Sequence, residues 1–275
     1  MTQRNRSSGW KHAKISGHTN EENIRNQLNN NKDFRKKLEI MLEADIEEAR
    51  SEGRKEKKVK SVFDEKLTSS KTDLKAISKN KVFNISIKKS KCGQVSLITV
   101  ERFIKGMNRH FSIELTSKEQ HAINLFFGND PNKIKKIINS SETSQIDPKI
   151  KIYERRKQRL TIKSIELYDK DLPSTLLNFF INYSKEIFLF CFSRGLAVNR
   201  DEWAEYLWYI NTIEKNDDYN QIFKIDDIAS KIESSNIFGF GSRGGGTTIH
   251  LPFGFVQWHL GQIQFHHDYQ KISNL

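Results

Sequence analysis

The sequence predicts an α/β protein, and three observations predict it. Apolar residues recur at helical spacing from Ile24 to Ile46. Two strand-like runs flank the turn-like segment Ser78-Lys79-Asn80-Lys81. The C-terminal stretch after Phe238 is poor in charge and alternates in short strand-like runs. The 275 residues can bury one sizeable core, or a core plus a small second lobe. Charged residues make up 29%, which is polar, but 18 Phe and 4 Trp supply the apolar bulk to fold.

Charge narrows the partner. A formal net charge of +12 suits a polyanion, of which nucleic acid is the commonest. Cys92 and Cys191 form no CxxC pair, so neither a zinc knuckle nor a disulfide framework is indicated, and a reducing compartment fits. The start of the chain lacks an apolar signal region, and no run has the length of a membrane span.

In chain order, residues 1–19 read as a flexible basic arm in which Trp10 packs down. Asn20 reads as the N-cap of a helix with Glu21 and Glu22 in its first turn. These acids have two readings, compensation of the helix dipole or supply of a carboxylate to a nearby metal. Ile24, Leu28, Phe34, Leu38, Met41, Leu42 and Ile46 form the apolar stripe, which Asn29-Asn30-Asn31 interrupts. The basic stretch 53–60 reads as a linker or solvated face.

The hairpin permits register arithmetic. A loop centred between Lys79 and Asn80 sets Asp73 opposite Ser86. Because alternate strand residues share a face, Asn84, Ser86 and Lys88 then lie with Asp73 and Lys75. Phe83, Ile85, Ile87, Leu74 and Ala76 point the other way, into a core. A one-residue slip would expose that apolar set. Lys75, Lys79, Lys81, Lys88, Lys89 and Lys91 crowd the same stretch with no acid between them. Such a cluster is either an edge strand that resists aggregation or a surface facing phosphate.

Helices are expected after Val95, from Ser117 to Phe127, over 131–140 and from Leu172 to Ser193, and an aromatic helix over 201–213. Lys149 to Lys163 holds seven Lys and Arg against Glu154 alone, a second basic block suited to a nucleic-acid backbone. Phe238 to Gly246 is a glycine-rich loop without the lysine of a P-loop. Thr247–His250, Phe253–His259 and Gln262–His266 read as strands. His266-His267 lacks metal-ligand spacing and reads as ordinary surface or DNA-facing histidine.

Four short motifs, in order, carry a resemblance. They are Gly17-His18-Thr19-Asn20-Glu21-Glu22-Asn23-Ile24, Lys71-Thr72-Asp73-Leu74, Ile85-Ser86-Ile87-Lys88 with Lys91-Cys92-Gly93-Gln94 after it, and Gln262-Ile263-Gln264-Phe265. Together they resemble the PD-(D/E)xK type II restriction endonucleases, most of all the four-base cutters of the MspI and HinP type. One position departs from that family's pattern. Its middle residue is usually Glu or Asp, and Gln or Asn in these relatives, whereas here it is Ser86, a poor direct ligand for a hard cation. A second frame, Asp73-Leu74-Lys75 with Asp64 upstream, ranks lower.

The resemblance implies a central mixed β-sheet flanked by helices, with a C-terminal β-rich DNA-recognition region. It implies one endonuclease domain over 20–275, with the catalytic core in 20–140 and the recognition part in 141–275. It implies Mg²⁺-dependent hydrolysis of double-stranded DNA to 5′-phosphates, at a short palindrome. Asp73 and Glu21 would hold the metal, Lys88 would act on the attacking water, and Ser86 would position water or metal. DNA would meet Lys89, Lys91, Gln94, Arg155, Arg156, Arg159, Arg243, Gln262 and Gln264. The enzyme would be a monomer or homodimer in the prokaryotic cytoplasm, with a DNA methyltransferase as genetic partner. The alternatives are a non-catalytic DNA-binding protein and a nuclease of the same superfamily acting on RNA or on repair and recombination structures.

Overall fold

The computed structural model describes residues 6–51, 58–63, 67–214 and 219–275, with side chains from Gly17 onward except that of Arg243. Asp64 and most of the basic stretch 53–60 lie outside the described residues, as does the Trp10 side chain. The chain divides into two compact units, each assembled from separated stretches. The first takes 1–91 and 192–228, the second 92–191 and 229–275.

In the first unit, helices α1 (Arg6–Asn30) and α2 (Lys32–Leu42) precede strands β1 (Glu48–Ser51), β2 (Lys58–Lys60), β3 (Leu67–Ser69), β4 (Leu74–Ile77) and β5 (Val82–Lys88). Residues 6–19, expected as an arm, form the first half of α1, where no proline interrupts the helix. The helix breaks where the asparagines predict it. The Asn31 side chain accepts hydrogen bonds from the amides of Asp33 and Phe34 and so opens α2.

The second unit begins with β6 (Cys92–Thr99) and seven helices, α3 (Val100–Phe111), α4 (Ser117–Phe126), α5 (Pro131–Asn139), α6 (Pro148–Lys157), α7 (Ile162–Tyr168), α8 (Leu172–Asn182) and α9 (Ser184–Leu189). The chain returns to the first unit with β7 (Tyr206–Ile210) and β8 (Asn220–Lys224), and α10 (Ile225–Glu233) spans the boundary. Strands β9 (Gly239–Phe240), β10 (Thr248–Leu251), β11 (Gly254–His259) and β12 (Gln262–Asp268) and helix α11 (Tyr269–Ser273) complete the second unit.

The aromatic run expected as a helix over 201–213 is instead a short turn followed by β7. Successive residues Leu207, Trp208, Tyr209 and Ile210 are all buried, so both faces of β7 are covered. A strand buried on both faces loses the alternation that would distinguish it from an apolar helix.

The first unit's sheet has the order β1-β4-β5-β7-β8, with β5 and β7 parallel and the other pairs antiparallel. It is therefore a mixed sheet. The β4–β5 register pairs Leu74 with Ile85 and Lys75 with Asn84, as the hairpin arithmetic requires. Leu74, Ala76, Phe83, Ile85 and Ile87 share one core with Ile24, Leu28, Leu38 and Leu42 of the two helices and Ile46 of the segment that follows them. Burying side chains of this size contributes about 1.5–3 kcal/mol each, which pins the register.

The second unit's sheet is antiparallel throughout, in the order β6-β12-β11-β10-β9. Its inner face presents Ile249, Leu251, Val256, Ile263 and Phe265, all buried. Phe103 of α3 packs its ring against Phe265 and against Phe179 and Phe190. The outer face carries Gln94, Gln257, Gln264 and His266.

Candidate active site and nucleic-acid interface

Asp73 stands just before β4, and its amide donates to the Ile85 carbonyl at 2.9 Å. This extends the ladder by one step and brings the carboxylate over the ends of β5. Oδ2 accepts the Ile87 amide at 2.7 Å and the Ser86 hydroxyl at 3.2 Å. Lys88 Nζ donates to Ser86 Oγ at 2.7 Å and to the Ile87 carbonyl at 3.1 Å, and lies 3.9 Å from Asp73 Oδ2. The structure thus brings together the three hairpin residues that the sequence singles out. Ser86 is buried, while Asp73 and Lys88 keep part of their side chains in solvent.

The turn before Asp73 is held from the loop that leads into β7. Ser70 Oγ and Thr72 Oγ1 both donate to the Glu202 carbonyl, at 2.6 and 3.2 Å, and Ser70 Oγ accepts the Thr72 amide. The polar side of the hairpin is closed by the same loop. Asn84 Nδ2 donates to the Asp201 carbonyl, and Lys75 Nζ lies 3.8 Å from Glu202. Lys75 is thereby committed to an ion pair, and the Asp73-Leu74-Lys75 frame has Asp64 outside the described residues.

Asn20 is not an N-cap. It lies inside α1, fully buried, and its side chain reaches the end of β7. Nδ2 donates to the Ile210 carbonyl at 3.0 Å, and Oδ1 accepts the amide and hydroxyl of Thr212 at 2.7 and 3.0 Å. Tyr209, one residue before Ile210, is the parallel partner of Lys88. The clamp therefore fixes α1 at the strand ends where Lys88 emerges, and Glu21 follows Asn20 directly. The Glu21 side chain is mostly covered, with His18 Nδ1 at 3.3 Å from Oε2.

Among the described residues, no group of three or more His, Cys, Asp and Glu could hold a metal ion. The donors that exist are still informative. Asp73 Oδ2 is occupied by two donors, which orients Oδ1 as the remaining ligand atom. One or two carboxylates with water and substrate phosphate is how Mg²⁺ is commonly held, so this donor set fits Mg²⁺ and does not fit a cation needing an all-protein cage.

A comparison with solved structures aligns 90% of this chain with 83% of the chain in the crystal structure of restriction endonuclease MspI in complex with its cognate DNA. The identity is 15% and the TM-score 0.47. No protein-family model matches the chain, and no curated protein matches it.

The residues expected to meet DNA fall into contrasting environments. In the first unit, Lys89 pairs with Glu214 at 3.0 Å, and Lys91 Nζ lies 5.2 Å from the centre of the Tyr219 ring, whose hydroxyl bonds the Lys89 carbonyl. In the second unit, Arg155 and Arg156 are exposed on the last turn of α6. Arg159, expected at a phosphate, is buried instead. It donates to the Thr247 carbonyl at 3.2 Å and lies over the Phe126 and Trp258 rings. Burial holds its guanidinium below the usual arginine range. Its neighbour Glu154 is fully buried and accepts from the amide and hydroxyl of Thr161 and the hydroxyl of Ser164. Arg159 thus anchors the glycine-rich loop at Thr247. Arg243 lies in a short turn of that loop, and its side chain is outside the described residues.

Gln94 and Gln264 meet on the outer face of the second sheet. Gln264 Nε2 donates to Gln94 Oε1 at 2.7 Å, and Gln257 Nε2 donates to Gln264 Oε1 at 2.9 Å. Gln257 Nε2 also approaches His266 Nε2 at 3.4 Å, and the His266 ring stacks on Phe255 with centroids 4.3 Å apart. Burial, with His259 nearby, lowers the His266 pKa and favours the neutral ring that can accept from Gln257. Gln262 pairs across β11 with His259 at the sheet's end. Gln257 belongs to the glutamine-rich C-terminal stretch that the sequence marks for base-edge readout, whereas sequence reading missed its bond to Gln264 and the His266–Phe255 stack. The alternation of these residues with the buried Val256, Ile263 and Phe265 is the signal that could have placed them on this face.

Proposed function

We propose that this protein is a Mg²⁺-dependent type II restriction endonuclease that cuts double-stranded DNA at a short palindromic site and leaves 5′-phosphates. The observation that carries this reading is the chain of bonds from Lys88 through Ser86 to Asp73, set on a register that the core enforces. A carboxylate and an ammonium a few ångströms apart, each partly open to solvent, form a centre for phosphodiester hydrolysis. The net charge of +12 supports a DNA substrate.

Asp73, with Oδ2 fixed by Ile87 and Ser86, would present Oδ1 to the cation, and Glu21 would add a second carboxylate from α1. When bound, Mg²⁺ supplies Lewis-acid polarisation of the phosphoryl oxygen and a more acidic water. Lys88 would orient the attacking water and neutralise charge developing on the phosphate. Attack on phosphorus breaks the bond to the 3′ oxygen, which takes a proton and leaves as the 3′ hydroxyl. Ser86, between lysine and aspartate, would hold both in place. Arg155 and Arg156 would grip the DNA backbone, and Gln94, Gln262, Gln264 and Arg243 would read base edges. The enzyme would act as a monomer or homodimer in the cytoplasm beside a cognate methyltransferase. Among the described residues no helix is long and apolar enough to cross a membrane.

The test is incubation of plasmid and phage DNA with the protein and Mg²⁺. Discrete, reproducible bands with ligatable 5′-phosphate ends are expected. Smears or cuts confined to branched structures would point to a repair-type nuclease. Shifted but uncut DNA would favour a non-catalytic DNA-binding protein, the second reading, which Ser86 in place of a carboxylate favours.

A further inference from the structure

The β11–β12 hairpin ends in a two-residue turn. His259 pairs with Gln262, and Leu260 and Gly261 lie between them with φ of 50° and 77°. Positive φ at both central residues defines a type I′ turn, for which Asn-Gly and Asp-Gly are the preferred pairs. Glycine fits the second place. Leucine does not fit the first, since its Cβ crowds the following carbonyl in this conformation.

Four non-glycine residues have positive φ among the described residues. Glu43, Ser112 and Gln158 are helix C-caps whose amides bond carbonyls of the last turn, so their conformation closes a helix. Leu260 closes no helix. Its conformation is also not compensated by burial, because 77% of the residue is exposed, the most of any large hydrophobic described. A single exposed leucine is ordinary, but one held in a disfavoured conformation at a tip calls for a use.

The base of the hairpin is paired on both sides, while Leu260 at its tip is exposed. β6 ends at Thr99 opposite Gln262, and β10 reaches only as far as Thr248 opposite Gln257. Leu260 and Gly261 therefore lie beyond the end of β6, and Trp258 and His259 also extend past β10. Trp258, two residues before the tip, lies against Gly128, where an added Cβ would meet the indole nitrogen at 2.5 Å. The Arg159 guanidinium lies 5.0 Å from the centre of the Trp258 ring. Polar side chains that can bond base edges, His259 and Gln262, flank the tip.

We infer that Leu260 is an apolar wedge that this hairpin drives against a base step of duplex DNA, opening the stack beside the residues that read the bases. Inserting side chains of this kind unstack a step and bend the duplex around the protein. The inference rests on the nuclease reading for its substrate, and the excess positive charge of the chain favours a polyanionic occupant.

Leu260→Asn is the decisive variant, because it gives the turn its preferred residue and should melt at the same or a higher temperature. The probe is a duplex spanning a cleavage position mapped on phage DNA, with 2-aminopurine placed at each step in turn and Ca²⁺ replacing Mg²⁺. The parental protein should raise fluorescence severalfold at one step. Leu260→Asn should leave all steps quenched and bind roughly tenfold more weakly. Equal fluorescence with the variant overturns the wedge, as does a variant that melts lower than its parent. A parental protein that shifts the duplex but leaves every step stacked overturns the wedge and spares the nuclease reading. One that neither cuts nor shifts DNA overturns both. Loss of self-association in Leu260→Asn, with DNA responses unchanged, would assign the tip to contact between copies and overturn the inference.

Discussion

The hairpin surface around Asp73 and the outer face of the second sheet are both polar surfaces raised on β-strands, yet they are built from opposite materials. The first joins a carboxylate, a hydroxyl and an ammonium through hydrogen bonds of 2.7 and 3.2 Å and an ion pair at 3.9 Å. The second joins neutral amides, Gln94, Gln264 and Gln257, with the imidazole of His266 at the end. Charge at close quarters suits a cation and a phosphate. Neutral donors and acceptors in fixed directions suit base edges, because they exact little desolvation and carry direction. Under the proposed function, one surface would carry the chemistry and the other would choose where it occurs.

Mutations can break this contrast, beginning with the largest effect. Asp73→Ala or Lys88→Ala should lower single-turnover cleavage by about 10³-fold while retarding DNA in a gel as the parent does. Equal cleavage would remove these residues from the centre. Next is Glu154→Ala, which deprives the fastening of the glycine loop of a buried acid that holds three donors. It should cost about 3 kcal/mol of stability, seen as a lower melting temperature. On the neutral surface, Gln264→Ala should relax discrimination at one base pair by roughly 1–3 kcal/mol, measured as cleavage of singly substituted sites, and should leave the rate at permissive sites near parental.

A subtler substitution sharpens the comparison. Ser86→Asp sets a second carboxylate beside Asp73. In EDTA the like charges should lower the melting temperature, and Mg²⁺ should restore it by more than it shifts the parent. An identical Mg²⁺ response in both proteins would argue against a metal at this place.

The smallest expected effect concerns pH. The folded His266 pKa lies below its unfolded value, so the unfolded chain binds more protons as pH falls through about 6.5. The contribution is full above that pH and declines below it, down to the folded value. His266→Gln should flatten this part of the stability profile in denaturant titrations across pH 5–8.

How legible these surfaces were differs for physical reasons. The hairpin register could be read directly, because one strand carries Phe83, Ile85 and Ile87 in strict alternation with polar residues. The break at Asn31 and the starts of α4 and α5 were equally open, since capping chemistry is local. Strand β7 was not, because Leu207, Trp208 and Tyr209 are covered on both faces and leave no alternation to count. Asn20 looked like a cap from its acidic neighbours. Its bonds go to Ile210 and Thr212, far along the chain, and no local pattern encodes that. Arg159 was misplaced for a similar reason, since a basic run does not show which arginine turns inward.

Consider finally when the hairpin can acquire its parallel neighbour. Ile85 pairs with Tyr206, and seven helices of the second unit are synthesised between them. A nascent chain emerging from the ribosome therefore holds Asp73 and Lys88 long before the strand beside them exists. Contacts of such sequence separation form slowly. Under the proposed nuclease function, late closure of this sheet would act as a built-in delay, keeping unfinished chains harmless until most of the protein has been made.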